Sequence, residues 1–161
     1  MTLGDQVPVQ ASEEPSRKPL VLVIEDEVLI AMLMEQILID AGYAVVAAFT
    51  GEEALSKATS IDRISLVVTD LRLAYGIDGR SVLRELRANC PSLPAVVVTG
   101  FGQWLHEADL RGVGGPTARL MKPFVAEELV ACVAGLLSDP AARPDRRDRR
   151  SRASDPRDAS P

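Results

Sequence analysis

The chain has 161 residues, 47% of them apolar but only 4% aromatic, and a formal charge of −5. Such a length suits one domain with tails, and the aliphatic composition can build a core while offering no stacking surface for nucleic acid. The acidic balance removes the electrostatic footprint behind most non-specific DNA binding, and two cysteines, Cys90 and Cys132, with one histidine, His106, are too few for a disulfide framework or a zinc site.

Residues 1–19 form a polar arm with Asp5, Glu13 and Glu14 and no sustained apolar stretch. Neither a signal peptide nor a membrane anchor is expected there, which leaves the cytoplasm as the default compartment. Residues 20–138 carry dense apolar patterning and are expected to fold as the one domain. Within them, short apolar runs at 20–24, 43–48, 66–68, 94–98 and 119–121 alternate with helical patterns at about 27–41, 51–59, 79–89, 102–111 and 125–137. Runs that are apolar on both faces suit parallel strands covered on each side. Five βα units therefore predict an α/β fold with a right-handed, doubly wound five-stranded parallel sheet. Residues 139–161 hold seven arginines, five aspartates and no large apolar side chain, so burial cannot offset their ordering entropy and a disordered tail is expected. The tail's +2 leaves −7 for the rest, and its plain reading is a solubilising polyampholyte.

In a doubly wound sheet the functional crevice lies beyond the carboxyl ends of the strands. Four of the predicted ends carry chemistry: Glu25-Asp26-Glu27 after the first run, Asp70 after the third, Thr99 after the fourth and Lys122 after the fifth. Taken singly, each has an ordinary explanation. Carboxylates at the start of a helix cap its free N–H groups and oppose its dipole, and a strand-end aspartate suits a turn. Together they make a different case. Carboxylates crowded in one crevice repel unless a cation intervenes, and hard oxygen ligands with few protein contacts suit Mg²⁺. The Lys122 ammonium and the Thr99 hydroxyl suit phosphate oxygens. An aspartate flanked by a metal and an ammonium is poised as a nucleophile toward phosphorus, with an aspartyl phosphate as the product. The Lys122–Pro123 bond is a candidate cis peptide that would aim the lysine inward.

Between about Leu20 and Leu137 the pattern resembles the receiver domain of bacterial two-component response regulators, whose fold is the flavodoxin-like (βα)5. The residues carrying the resemblance are Val23-Ile24-Glu25-Asp26-Glu27, Val67-Val68-Thr69-Asp70, Val97-Val98-Thr99-Gly100 and Lys122-Pro123-Phe124. It implies that Asp70 is the phosphoacceptor. Asp26 and Asp70 would ligate Mg²⁺ directly, Glu25 would do so through water, and the Arg72 backbone carbonyl would add an oxygen. Thr99 and Lys122 would hold the phosphoryl group. The donor would be a histidine kinase or a histidine phosphotransfer protein, and no nucleic acid or membrane partner is implied.

The chain departs from the family pattern twice. The loop Asp70-Leu71-Arg72-Leu73-Ala74-Tyr75-Gly76-Ile77-Asp78-Gly79 lacks the usual proline and is one residue longer, and Arg119 stands where an aromatic switch residue is usual. Thr99-Gly100 and the proline-free loop are similar to the single-domain subgroup nicknamed FAT GUY. With no DNA-binding domain recognisable after the core, the expectation is a stand-alone receiver that signals by protein contact or drains phosphate, and that is not an enzyme beyond its own phosphorylation and dephosphorylation. Arg119 and the altered loop keep open a module that binds partners without phosphorylation. An aspartate-nucleophile phosphohydrolase would need an acid two residues after Asp70, where Arg72 stands. His106 on a short helix lacks the bundle a relay histidine needs and reads as a surface residue. Trp104 either packs or anchors a partner. The helix beginning at Val28 is apolar almost all round, which burial and a Met-rich partner surface would share in explaining.

Overall fold

The computed structural model describes residues 17–100 and 112–139. Its elements alternate: β1 (Leu20–Ile24), α1 (Val28–Asp40), β2 (Ala44–Ala48), α2 (Gly51–Ser60), β3 (Leu66–Asp70), α3 (Gly79–Asn89), β4 (Ala95–Thr99), β5 (Thr117–Met121) and α4 (Ala126–Ser138). The strands form one all-parallel sheet in the order β2-β1-β3-β4-β5. This is the doubly wound α/β sheet that the alternation predicts. The predicted helical stretch 102–111, with Trp104 and His106, lies outside the described residues, as do most of the two predicted tails.

Strand periodicity divides the core into two layers. Leu22, Ile24, Val67, Ala95 and Val97 face one way and pack with Ala54 of α2 and Val82 and Leu83 of α3. Val21, Val23, Val68, Val96 and Val98 face the other way, onto Met34 and Leu38 of α1 and Leu129 and Val133 of α4. Each fully buried Leu, Ile or Val contributes roughly 1.5–3 kcal/mol of transfer free energy, so the three central strands, buried on both faces, are the firmest part of the molecule.

The ends of the elements follow local chemistry. Thr50 accepts the Glu53 N–H at 3.1 Å to start α2, and Asp78 accepts the Ser81 N–H at 2.6 Å to start α3. At α4 the Glu128 carboxylate reaches back to the Val125 N–H at 3.0 Å. Two strands are longer than the apolar runs suggest. β5 begins at Thr117 because Ala95 and Val96 of β4 pair with Thr117 and Ala118, and β3 extends through Asp70, which pairs with Val98. Backbone pairing, which hydrophobicity does not record, carries both past their apolar segments.

The chain turns from β1 outward to β2, then crosses back to β3 on the other side of β1. The point where the winding reverses therefore lies between β1 and β3, and a crevice opens at their carboxyl ends. Glu25 and Asp26 follow β1, and Asp70 closes β3.

Candidate functional site

Glu25 is the surprise of the site. Its N–H continues the β ladder by donating to the Ala48 carbonyl at 3.1 Å, and its side chain is completely buried. One carboxylate oxygen accepts from Lys122 Nζ at 2.7 Å and the other from the Glu27 N–H at 3.2 Å. Burial pushes the Glu25 carboxyl above its ordinary 4.5, against the pull of Lys122. The same Nζ donates to Asp70 Oδ2 at 2.8 Å, so one ammonium is shared by two carboxylates. Burial works to lower the lysine's pKa, but the hydrogen bonds to Asp70 and Glu25 outweigh it and the net shift is upward. Lys122 stays charged.

Asp70 is nearly buried, and its Oδ1 accepts the Arg72 N–H at 2.8 Å. Its backbone carbonyl accepts the Thr69 hydroxyl at 2.9 Å and lies against the Cα of Gly79, where any Cβ would overlap it. Gly79 is thus needed for the close approach of α3 to the end of β3. The sequence signal for it, an Asp-Gly at a helix start, is too common to have singled it out. Thr99 is buried at the end of β4, and its carbonyl accepts the Lys122 N–H at 2.8 Å, which places the lysine beside the neighbouring strand end. The Lys122–Pro123 bond is cis.

Asp26 reaches outward, and its Oδ2 accepts the Ala74 N–H of the loop after β3 at 3.0 Å. An open cleft of about 510 Å³ is lined by Asp26, Glu27, Asp70, Arg72, Leu73, Ala74, Gly100 and Lys122. Five of the six site residues expected from sequence therefore gather around Asp70: the buried Glu25, the half-buried Asp26 and Lys122, the exposed Arg72, and Asp70 itself. Thr99 sits directly behind Gly100. Glu25 does not line the cleft, whereas Glu27, exposed and with Oε1 4.0 Å from Lys122 Nζ, does.

Among the described residues the cleft is lined by three carboxylates, Asp26, Glu27 and Asp70, and two basic residues, Lys122 and the exposed Arg72, so its lining carries excess negative charge. That excess and the oxygen-only donor set fit a hard divalent cation. Among the described residues no three histidine, cysteine or carboxylate side chains converge tightly enough to enclose a metal. Mg²⁺ tolerates such an arrangement, because it keeps several waters and takes only one or two carboxylates.

The family model described as response regulator receiver domain matches residues 21–134. The chain is 34% identical over 116 residues to the two-component response regulator PhoP of Pseudomonas aeruginosa, covering 72% of this chain and 50% of that one. It is 36% identical over 122 residues to the transcriptional regulatory protein PrrA of Mycobacterium tuberculosis, covering 74% and 50%. The chain thus spans about half the length of these curated relatives. Among solved structures, a response regulator receiver protein from Sinorhizobium medicae aligns with a TM-score of 0.65 at 30% identity, over 74% of this chain and 94% of that one. NtrX from Brucella abortus aligns with a TM-score of 0.68 at 30% identity, over 74% of this chain and 27% of that one.

Proposed function

The chain belongs to the response regulator receiver domain family, and on that premise we propose that it accepts a phosphoryl group onto Asp70 from a phosphohistidine of a histidine kinase or histidine phosphotransfer protein. The observation that carries the proposal is the setting of Asp70: one carboxylate at the winding reversal of the sheet, held by Lys122 and the Arg72 N–H and open to an acidic cleft. Asp26, Asp70 and the Arg72 carbonyl would hold Mg²⁺, with Glu25 behind them. Bound there, the ion would supply positive charge beside the phosphoryl oxygens.

In the transfer an Asp70 carboxylate oxygen attacks phosphorus and a new O–P bond forms. The P–N bond to the donor histidine breaks, and its electron pair stays on the imidazole nitrogen, which takes up a proton. Lys122 moves from the Asp70 oxygen to a phosphoryl oxygen, and the Thr99 hydroxyl donates to another. The phosphoryl group adds charge and strong acceptors at the strand ends, enough to bias a two-state surface. Output then comes through protein contact or through drainage of phosphate, with this chain acting as a stand-alone receiver in the cytoplasm and not as an enzyme on a separate substrate.

A partner-binding module that takes no phosphate is the second reading, favoured by the exposed Arg119 on β5 in place of an aromatic. Intact mass after incubation with acetyl phosphate and MgCl2 separates the two. The proposal expects one added phosphoryl group that requires Mg²⁺ and is absent in Asp70→Ala. An unlabelled wild type that binds Mg²⁺ normally would favour the module.

A further inference from the structure

The loop between β3 and α3, the longer and proline-free segment, walls the cleft with Arg72, Leu73 and Ala74. Two of its N–H groups fix the two cleft aspartates: Arg72 donates to Asp70 Oδ1 at 2.8 Å and Ala74 donates to Asp26 Oδ2 at 3.0 Å. The position of the loop and the orientation of both carboxylates are therefore one variable. A shift of the loop backbone frees Asp26 Oδ2 and Asp70 Oδ1 together, while Lys122 keeps its hold on Asp70 Oδ2.

What holds the far end of this loop comes from another element. Ile77 N–H donates to Glu52 Oε1, on the first turn of α2, at 3.1 Å. The Glu52 carboxylate lies directly on the Cα of Gly76, a residue at φ +76 where any Cβ would fall on the carboxylate atoms. Beside it the Cα of Gly51 abuts the side chain and carbonyl of Ile77. Leu73 and Ile77 pack against the apolar layer beneath α2 and α3. Gly76, in the left-handed region of the loop, thus makes room for a single carboxylate to dock a loop 25 residues away in sequence, and Gly51 on the helix makes room for Ile77.

We infer that Glu52 is a positioning residue of the Asp70 site: by accepting the Ile77 N–H it sets the 71–78 loop so that Arg72 and Ala74 orient Asp70 and Asp26, and so strengthens divalent-cation binding. The inference rests on the reading that Asp26 and Asp70 hold the cation. Glu52 itself does not line the cleft. Its effect passes through the loop backbone, and a glutamine, whose carbonyl accepts the same N–H, can replace it.

The test is titration of MgCl2 into full-length wild type, Glu52→Ala and Glu52→Gln by calorimetry, with amide hydrogen exchange at Ile77 and Ala74 recorded in parallel. Loss of one hydrogen bond to a charged, exposed acceptor predicts Mg²⁺ affinity about three- to tenfold weaker in Glu52→Ala. Ile77 exchange should quicken in the same variant, and the unfolding midpoint should fall by no more than a few degrees, as the loss of one hydrogen bond requires. Glu52→Gln should return to within about twofold of wild type, the remainder being a screened charge effect. Equal affinity in wild type and Glu52→Ala would overturn the inference alone. Glu52→Gln as weak as Glu52→Ala would also overturn it, assigning the effect to charge. A wild type that binds no Mg²⁺ would remove the metal reading and this inference with it.

Discussion

Lys122 pairs with three carboxylates, Glu25, Glu27 and Asp70. Its Nζ lies 2.7 Å from the fully buried Glu25 and 2.8 Å from Asp70. Removing it strands a buried carboxylate, a loss on the order of 3 kcal/mol in comparable pairs. Lys122→Met should therefore be destabilised by about that much in urea unfolding at pH 7. The deficit should depend on pH in a fixed direction. Burial already raises Glu25 above 4.5 in the folded protein, so its contribution to stability falls as pH climbs through the window above 4.5. Without Lys122 the shift grows, so the deficit should shrink as pH falls toward 4.5, and Glu25→Gln should restore much of the loss. A deficit that is flat or grows on acidification would contradict the pairing. The strand-end placement of Glu25, Asp26, Asp70, Thr99 and Lys122 was legible in the sequence because each follows an apolar run. That Glu25 turns inward beneath Lys122 while Glu27 faces the cleft was not. Three adjacent carboxylates look alike in one dimension, and only the β ladder, which draws Glu25 in through its bond to Ala48, tells them apart. Glu52 and Gly79 were invisible for a related reason: their roles are close approaches between elements that local pattern does not encode.

Among the elements, α1 shows how an apolar composition divides between two duties. Ala31, Met34 and Leu38 are fully buried, Met34 and Leu38 in the layer shared with the sheet and α4, whereas Val28, Leu29, Met32 and Leu33 are more than half exposed, Leu29 by 81%. The sequence shows a helix apolar nearly all round, and the structure sorts it into a core stripe and an outer face. That face begins at the cleft, since Glu27, which lines it, is the residue before α1. An exposed aliphatic and methionine surface beside a phosphoacceptor suits the helices of a phosphodonor protein. On this account Leu29→Lys leaves stability and labelling by acetyl phosphate unchanged, because the side chain touches no core, yet slows transfer from the cognate phosphodonor at least tenfold, about 1.4 kcal/mol by the usual conversion. Transfer at the wild-type rate would place the docking surface elsewhere. The strands were easier to read than the helix faces. Their two-residue period and apolar runs located all five, and errors arose only at ends such as Thr117 and Asp70, where pairing with β4 extends the strand.

For the whole molecule, the controlling fact is the order β2-β1-β3-β4-β5. It brings residues 25, 70, 99 and 122, spread over most of the domain, to one edge of one sheet. It also puts the winding reversal between the acidic end of β1 and Asp70. Alternation of strand and helix in the sequence was enough to predict a parallel, doubly wound sheet. The placement of β1 between β2 and β3 is a property of the folded chain that its one-dimensional pattern does not state. The same architecture explains why a chain of net charge −5 gathers three carboxylates, Glu25, Glu27 and Asp70, around one lysine: strand ends are where side chains can leave the apolar layers and meet. The central claim is that Asp70 carries the phosphoryl group, and borohydride trapping tests it most directly. After acetyl phosphate and MgCl2, reduction converts an aspartyl phosphate to homoserine, which peptide mass spectrometry locates. The account predicts homoserine at position 70, only when Mg²⁺ is present. Homoserine at Asp26 or another carboxylate, or none in a protein that binds Mg²⁺, would contradict it.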